Sequence, residues 1–259
     1  MTDYLRHLFG LEGKVAALTG AGGHLVGEMA RALARAGVRV AALDVDLASA
    51  SRTADAIAAA GGEAVALAVD VRRKADYETA LDAILKRWGR LDGAVFGAGA
   101  NAPTPFADIT IEEWNDILAV QLTGTMLGCQ VLGGHMVAER RGAIVTIASA
   151  SSGPPLSKAF TYSVAKAGVK NLTQNLAREW AAANVRVNAL RPGFFPTEWS
   201  MAHFITPERE AAILGHTPMR RYGTPGELAG AVLWLLSDAA SFVTGAEIAV
   251  DGGFTAMTI

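Results

Sequence analysis

The chain has 259 residues, of which 51% are hydrophobic and 19% are charged, and its formal net charge is -2. This composition supplies enough apolar material for a sizeable core and excludes an intrinsically disordered chain. The nearly balanced charge gives no sign of a nucleic-acid partner or of an anionic membrane surface. Cys129 is the only cysteine, which rules out an intrachain disulfide and leaves a thiolate metal site without support.

The N-terminal segment, residues 1–7, lacks the apolar stretch of a signal peptide. Continuous apolar runs elsewhere fall short of the roughly 18 residues that a membrane-spanning helix needs. Cys129 lies among apolar neighbours, so we expect a buried and unreactive thiol. These features predict a soluble, cytoplasmic protein without a membrane partner.

Short β-rich segments alternate with longer Ala-rich helical patterns along the whole chain. Such alternation predicts a parallel sheet with helices on both faces. Thr-x-x-Glu patterns at Thr110 and Thr224 predict capping boxes at two helix starts, the second with Pro225 as the first helical residue. The predicted strands are 15–19, 38–44, 64–69, 93–98, 143–148, 185–190 and 246–250, and the predicted helices are 27–36, 47–60, 73–88, 111 toward Arg140, 162–183 and one after Thr224.

No linker, low-complexity tract or internal repeat divides the chain. We therefore expect a single doubly wound, Rossmann-type α/β domain over residues 1–259, with about seven strands in its sheet. Helical and loop patterns replace a strand in the segment 193–218. This segment is predicted to cover a substrate.

A glycine-rich turn, Gly20-Ala21-Gly22-Gly23-His24-Leu25, follows the first strand and precedes a helix. Glycines allow a tight turn and close approach to a pyrophosphate, whose negative charge suits a helix N-terminus. Asp44 ends the second strand, where a carboxylate can bind both hydroxyls of an adenine ribose and repel a 2′-phosphate. The pattern predicts a dinucleotide site that favours NAD over NADP, although Asp44 could also be an ordinary loop carboxylate. Asp70 and Val71, after the third strand, are candidate adenine contacts.

Tyr162 and Lys166 are one helical turn apart, and Ser149 ends an apolar strand upstream of them. A phenol with a pKa near 10 is a poor acid–base catalyst at neutral pH. A lysine on the same helix face can lower that pKa through its positive charge, and a serine hydroxyl could hold a substrate oxygen. The set predicts proton transfer to or from an alcohol or carbonyl oxygen, although Tyr-x-x-x-Lys alone also occurs on ordinary helices.

Taken in order, these motifs resemble the short-chain dehydrogenases/reductases over nearly the whole chain. The resemblance implies a nicotinamide-dependent oxidoreductase that forms a homotetramer or a dimer. The segments after the fourth and sixth strands look most like members acting on sugar acids and polyols. The matching features are Thr19-Gly20 with the following glycines, Asp44, Asp70, Gly97-Ala98-Gly99, Ser149, Tyr162-x-x-x-Lys166, Asn188, Pro192-Gly193 and Val250-Asp251-Gly252-Gly253.

The resemblance implies hydride transfer between NAD(H) and a secondary alcohol or ketone. In the family the tyrosine is the general acid–base, the lysine binds the nicotinamide ribose and lowers the tyrosine pKa, and the serine orients the substrate oxygen. Those roles fall on Tyr162, Lys166 and Ser149. Further candidate cofactor contacts are Ala98, Gly99, Pro192, Gly193, Phe195 and Thr197. Further candidate substrate contacts are Asn101, Ser151, Phe194 and Trp199, of which the aromatic members could equally be packing residues of the cover segment.

The glycine turn departs from the family pattern. That pattern usually reads Thr-Gly-x-x-x-Gly-x-Gly, and its last two glycines fall on His24 and Val26. Side chains there would crowd the pyrophosphate path and the contact between helix and strand. A shifted turn using Gly22, Gly23 and Gly27 could restore the room, or cofactor affinity could be reduced. His24 could instead donate a hydrogen bond to a phosphate, or it could be a solvent-facing or packed histidine.

Two further departures concern side-chain amides. Gln121 stands where the family usually has an asparagine that helps hold a water in a proton relay behind the lysine. Its amide is one methylene further out, so a relay either survives with shifted geometry or weakens. Phe96-Gly97-Ala98-Gly99 replaces the usual Asn-Asn-Ala-Gly. These changes leave open a catalytically weakened relative with a binding or assembly role. An NADPH-dependent 3-oxoacyl-type reductase is a further alternative, which Asp44 disfavours.

Overall fold

The computed structural model describes residues 3–197, 201 and 205–257 of the chain. Its strands are β1 (Val15–Thr19), β2 (Arg39–Asp44), β3 (Ala64–Ala68), β4 (Gly93–Phe96), β5 (Gly142–Ile147), β6 (Val185–Pro192) and β7 (Glu247–Val250). They form one sheet in the order β3-β2-β1-β4-β5-β6-β7, and every neighbouring pair is parallel. The predicted α/β sheet of about seven strands is confirmed.

Helices connect consecutive strands. They are α1 (Asp3–Phe9), α2 (His24–Arg35), α3 (Leu47–Ala59), α4 (Lys74–Trp88), α5 (Ile111–Ala138), α6 (Phe160–Trp180), α7 (Pro207–His216) and α8 (Ala229–Leu236). Short 3-10 turns lie at Phe106–Asp108, Ala150–Ser152, Ala181–Ala183, Pro225–Leu228, Asp238–Ala240 and Phe254–Ala256. The sequence analysis did not predict α1, which has no fully buried residue but packs Phe9 against the core.

Both faces of the sheet are covered by helices, as predicted. Leu18 of β1 packs into one cluster with Leu33 of α2 and Val232 of α8. Its neighbour Ala17 faces the other cluster, which contains Ile84 of α4 and Leu132 of α5. Successive strand residues point to opposite faces, so continuous apolar strands are required here. Each large side chain buried in these clusters contributes about 1.5–3 kcal/mol relative to an exposed one.

The sheet opens a crevice at the carboxyl ends of β1 and β4. The chain builds β1, β2 and β3 outward in one direction and then returns to place β4 on the other side of β1. The loops after β1 and β4 therefore diverge onto opposite faces, and this is where open α/β sheets bind ligands. The candidate residues after β1, β4, β5 and β6 all lie on this edge.

The long helix α5 begins as predicted but ends earlier. The hydroxyl of Thr110 accepts a hydrogen bond from the Glu113 amide at 3.1 Å, which confirms the N-cap. The Glu113 carboxylate binds the Thr104 hydroxyl at 2.7 Å, so the second half of the predicted capping box is not formed. The helix ends at Ala138 rather than near Arg140, because Arg140 turns the chain with a φ of 54°.

By length and composition α5 could also cross a membrane. It has 28 residues, and its most apolar window has a mean hydropathy of 1.4. Half of that window is buried inside the fold, where α5 packs against α4 and α6. Core helices of globular proteins have these same properties, and we interpret α5 as one of them.

The other predicted boundaries differ by up to three residues. The largest differences, of three residues, are at the start of α2, which begins at His24 and not at Gly27, and at the end of α6. Helix α6 ends at Trp180 and continues only as a 3-10 turn to Ala183, where Asn184 takes a φ of 58°. The predicted capping box at Thr224 is confirmed, although it opens a 3-10 turn that leads into α8. Within the predicted cover segment, residues 198–200 and 202–204 lie outside the described part of the chain.

Candidate active site

Ser149, Tyr162 and Lys166 meet at the carboxyl edge of the sheet. Ser149 directly follows β5, and Tyr162 and Lys166 lie in the first two turns of α6. The Ser149 hydroxyl lies close enough to Tyr162 to lower the pKa of the phenol. The Lys166 Nζ lies 5.5 Å from the centroid of the Tyr162 ring. The sequence prediction that these three side chains come together agrees with this geometry.

Burial disfavours charge on both members of the tyrosine–lysine pair. It raises the pKa of Tyr162, and the hydrogen bond from Ser149 offsets part of that rise. It lowers the pKa of Lys166 to about 7. The side chain of Lys166 is 4% exposed, and its Nζ donates a hydrogen bond of 2.6 Å to the Ile147 carbonyl. The lowering of the Tyr162 pKa by a charged Lys166 stays a prediction.

A turn of serines fixes the orientation of Ser149. Its Oγ accepts hydrogen bonds from the Ser151 amide at 3.2 Å and from the Ser151 hydroxyl at 3.1 Å. In return, the Ser149 amide donates to the Ser152 hydroxyl at 2.9 Å. Ser151 was predicted as a substrate contact, but it is 3% exposed and its hydroxyl is directed at Ser149. The Ser151 side chain therefore orients the Ser149 hydroxyl by hydrogen bonding.

Gln121 lies in a wide, π-type turn of α5 against which α6 packs. It is 1% exposed, and its Nε2 donates a hydrogen bond of 2.7 Å to the Ala100 carbonyl. Its Oε1 is buried and has no hydrogen-bond partner among the residues that the structure describes. A buried acceptor left unpaired costs about 1–3 kcal/mol, so this position favours a bound polar group such as a water molecule.

The glycine turn after β1 is held against the ends of β2 and β4. Gly20 has a φ of 76°, and a Cβ there would lie 2.8 Å from the Cα of Ala98. The Asp44 carboxylate accepts hydrogen bonds from the Gly22 amide at 3.0 Å and from the Asp46 amide at 3.1 Å. A Cβ on Gly22 would lie 2.5 Å from the Cβ of Ser49. Both glycines are therefore required by the close approach of neighbouring chain segments.

The start of α2 is open to the crevice. Gly23 is the N-cap residue and provides no side-chain cap, so within the described part of the chain the first amides of the helix are available to an anion. His24 is the first helical residue and is exposed, and Leu25 follows it half-buried. Val26 is 5% exposed and packs into the core. Side chains at His24 and Val26 were expected to crowd the pyrophosphate path and the contact between helix and strand, and Val26 lies at the second of these places, under the helix.

The candidate adenine contact Asp70 already has a partner. Both of its oxygens accept hydrogen bonds from the Arg72 guanidinium, at 2.7–3.1 Å. Those bonds are the largest cause of the lowered pKa of Asp70, which burial opposes. Val71 is 8% exposed and packs against Gly124 of α5. An adenine amino group at Asp70 would have to share the carboxylate with Arg72.

The segment after β6 packs on the C-terminal loop. The Gly193 amide donates to the Val250 carbonyl at 3.0 Å, and a Cβ on Gly193 would lie 2.7 Å from the Cα of Asp251. The rings of Phe194 and Phe254 meet edge-on, with their centroids 5.1 Å apart, and this contact supports the interpretation of Phe194 as a packing residue. A cavity of about 90 Å³ lies beneath this segment. It is lined by Phe194, Phe195, Thr217, Met219, Arg221, Gly223, Glu227, Val250, Asp251 and Gly252.

Known proteins resemble the chain over nearly its full length. A family model described as enoyl-(acyl carrier protein) reductase matches residues 25–255. Galactitol 2-dehydrogenase (L-tagatose-forming) from Cereibacter sphaeroides is 38% identical over 98% of this chain and 99% of its own length. The crystal structure of a gluconate 5-dehydrogenase from Burkholderia cenocepacia, in complex with NADP and tartrate, has a TM-score of 0.92 at 30% identity, covering 97% of this chain and 100% of that one. A proposed D-mannonate oxidoreductase from Haemophilus influenza with bound NAD has a TM-score of 0.90 at 31% identity, covering 96% and 97%. This chain belongs to the short-chain dehydrogenase/reductase family.

As a member of this family, the chain is an oxidoreductase of the alcohol/carbonyl type that uses a nicotinamide cofactor. The similar structures hold NADP in one case and NAD in the other, so membership alone does not select between them.

The remaining predicted site residues are spread along the crevice. Ala98 and Gly99 follow β4, and a Cβ on Gly99 would lie 2.8 Å from the Gln121 Nε2. Asn101 is exposed after them, and Thr197 follows Pro192 and Gly193 at the start of the cover segment. Trp199, the last predicted substrate contact, lies outside the described residues.

The sequence analysis missed contacts between distant segments. Arg209, in the first turn of α7, donates to the Ser157 hydroxyl at 3.1 Å and to the Ser157 carbonyl at 2.8 Å. This pair ties the cover segment to the loop that joins Ser149 to Tyr162. The role of the Ile147 carbonyl, which holds Lys166, was missed as well. Backbone acceptors leave no trace in a residue pattern, so no local sequence signal could have revealed either contact.

Proposed function

We propose that this family member is an NAD(H)-dependent dehydrogenase of secondary alcohols and ketones, with polyols and sugar acids as the substrate class and Tyr162 as general acid–base. The observation that carries the proposal is the meeting of Ser149, Tyr162 and Lys166 beside a glycine turn whose helix amides are uncapped. The substrate class comes from relatives that act on galactitol and gluconate.

The residues at the crevice fit a dinucleotide. The free amides at the start of α2 suit a pyrophosphate, and the close approaches at Gly20 and Gly22 leave room only for backbone. Asp44 offers its carboxylate at the end of β2, where ribose hydroxyls are expected. A nicotinamide cofactor held by these residues would supply the hydride acceptor or donor. The family pattern places Ala98, Gly99, Pro192, Gly193, Phe195 and Thr197 along the rest of the cofactor.

In the oxidation direction, Ser149 would hold the substrate hydroxyl, Tyr162 as phenolate would take its proton, and the hydride would leave the carbinol carbon for the nicotinamide. The bonds from Ser151 occupy the lone pairs of Ser149, so the Ser149 proton is free for Tyr162 or for the substrate oxygen. Among the described residues, Lys166 donates to the Ile147 carbonyl, which leaves further N–H groups for the ribose hydroxyls. The proton on Tyr162 then moves through Lys166 toward a water held at the Gln121 Oε1. In the reduction direction, Tyr162 donates the proton instead.

The experiment that tests this function is oxidation of a panel of secondary polyols and sugar acids with NAD, followed by NADH formation. Turnover of at least one polyol or sugar acid, with simple primary alcohols much slower, is the expected result. Binding of NADH without turnover of any panel member would favour the catalytically weakened relative. Selective reduction of 3-oxoacyl thioesters with NADPH would favour the reductase alternative.

Asp44 is expected to set the preference for NADH over NADPH. Substituting Asp44→Ala removes the charged acceptor for the ribose hydroxyls, and the dissociation constant for NADH should rise about tenfold or more. The constant for NADPH should fall, because the repulsion of its 2′-phosphate is lost. Nicotinamide fluorescence titration measures both constants. Asp55→Ala, on the exposed side of α3, is the matched control. Tighter binding of NADPH than NADH by the parent protein would contradict this role.

Gln121 is expected to support proton release. Gln121→Leu removes the buried amide at nearly constant volume, and kcat should fall about tenfold while NADH affinity is kept. Gln121→Asn should recover part of the loss. The pH profile of kcat separates this role from a structural one, since only a lost relay shifts the profile. Gln130→Leu, on the exposed face of the same helix, is the control. An unchanged profile in Gln121→Leu would reject the relay.

We also propose, from the family resemblance, that the chain is a single-domain, cytoplasmic subunit of a homotetramer or dimer. Exposed apolar side chains on α5 and α6 support self-association, among them Ile111 at 63% and Val164 at 44% exposure. Small apolar patches are common on monomers, so the mass measured by light scattering decides the matter.

A further inference from the structure

Val26 occupies space that a side chain at position 97 would need. A Cβ built on Gly97, directly after β4, would lie 2.5 Å from the Cγ2 of Val26 and 3.2 Å from the Cγ1 of Ile147. Val26 is 5% exposed and belongs to the core cluster between α2 and the sheet. The valine methyl therefore packs directly onto the backbone of Gly97.

Neither Val26 nor Gly97 can move without a cost in free energy. A β-branched side chain in a helix is restricted to one main rotamer, so Val26 cannot swing its methyl aside without moving α2. Gly97 does not have a positive φ, so alanine is conformationally allowed there and any cost of a Cβ would be steric. Such overpacking in a dense core forces the backbone to shift.

The backbone at 97–98 is also the support of the glycine turn. The Thr19 hydroxyl accepts hydrogen bonds from the Gly97 amide at 3.2 Å and from the Ala98 amide at 3.4 Å. Gly20 approaches Ala98 so closely that a Cβ would lie 2.8 Å from its Cα. A displacement of Gly97 or of Val26 is thus passed to Gly20 and to the first turn of α2, which are the elements that face the pyrophosphate path.

The same residues mark two departures of this chain from the family pattern. Val26 stands where the pattern has its last glycine, and Gly97 stands where it has an asparagine. In this structure the larger residue at 26 is accommodated by the smaller residue at 97. We propose that Val26 and Gly97 are a matched pair of positioning residues, in which glycine at 97 lets valine at 26 pack under the cofactor-binding turn. The proposal rests on the dinucleotide function proposed above.

Four proteins test the pair: the parent, Val26→Ala, Gly97→Ala and the double variant Val26→Ala/Gly97→Ala. Gly97→Ala should raise the NADH dissociation constant about tenfold, because α2 and the turn are displaced. Val26→Ala should change it by less than about threefold, since a cavity in the core leaves the turn in place. The double variant should return to within about threefold of the parent, because the methyl that opposes the new Cβ is gone.

The melting temperature of each variant is also measured, so that a loss of NADH binding caused by a displaced turn can be distinguished from a loss of folding. Gly230→Ala is the matched control, because a Cβ on this helical glycine meets no atom within 4 Å, and it should leave NADH binding unchanged. Equal NADH affinity in the parent and in Gly97→Ala would overturn the proposal, as would a double variant that binds no better than Gly97→Ala. A parent protein that shows no NADH binding in the fluorescence titration would instead overturn the dinucleotide function itself. If Gly97→Ala fails to fold, recovery of both folding and NADH binding in the double variant still supports the pair.

Discussion

Replacing Tyr162 with phenylalanine is expected to lower kcat about a thousandfold, while the NADH dissociation constant changes by less than about threefold. The phenol lies beside the Ser149 hydroxyl, which is proposed to hold the substrate oxygen. Without it, no side chain in the described part of the cleft is placed to exchange a proton with that oxygen. The ring itself remains, so packing against the start of α6 is preserved.

The measurement combines steady-state turnover of the best polyol substrate with NADH fluorescence titration. Tyr4→Phe is the matched control, since its hydroxyl is lost from an exposed position on α1 and turnover should be unaffected. A Tyr162→Phe protein with kcat within a few-fold of the parent would remove Tyr162 as the acid–base. A protein that lost NADH affinity in parallel would instead show that the ring positions the cofactor.

The sequence was sufficient to predict the sheet and the residues at its carboxyl edge. Strand and helix periods, with glycines and carboxylates at strand ends, already place Gly20, Asp44 and Ser149 on one side of the sheet. This follows because every strand of a parallel sheet ends at the same edge. The spacing of Tyr162 and Lys166 was equally informative, since residues one turn apart share a helix face.

What the sequence did not reveal depends on contacts between distant segments. The accommodation of Val26 requires knowing that Gly97 lies opposite it across the interface between α2 and β4. The pairing of Asp70 with Arg72 and the burial of Ser151 depend on the paths of the loops. The wide turn around Gln121 has no signature in the residue pattern of α5. In each case a local pattern gives the residue type but not its surroundings.

Replacing Lys166 with methionine is expected to lower kcat about a hundredfold or more and to weaken the binding of NADH. Methionine keeps the length of the side chain and its fit in the core, but it cannot donate to ribose hydroxyls or to a proton relay. Lys86→Met, on the exposed face of α4, is the control for the loss of a lysine. An active Lys166→Met protein would exclude Lys166 from the proton path.

Lys166→Met should also change how stability depends on pH. The folded pKa of Lys166 is about 7, below the unfolded value near 10.4, so between these values the unfolded chain binds the extra proton. The free energy of unfolding of the parent should therefore rise as the pH increases from about 7 to about 10, relative to the variant. Below about pH 7 the parent carries the full cost of a buried charge, and the methionine variant should be the more stable protein. Thermal melts across this range measure the difference, and parallel curves for the two proteins would mean that Lys166 keeps an ordinary pKa and stays charged in the folded site. In that case its charge would be available to lower the pKa of Tyr162, and the neutral tyrosine–lysine pair inferred from burial would have to be replaced by a charged one.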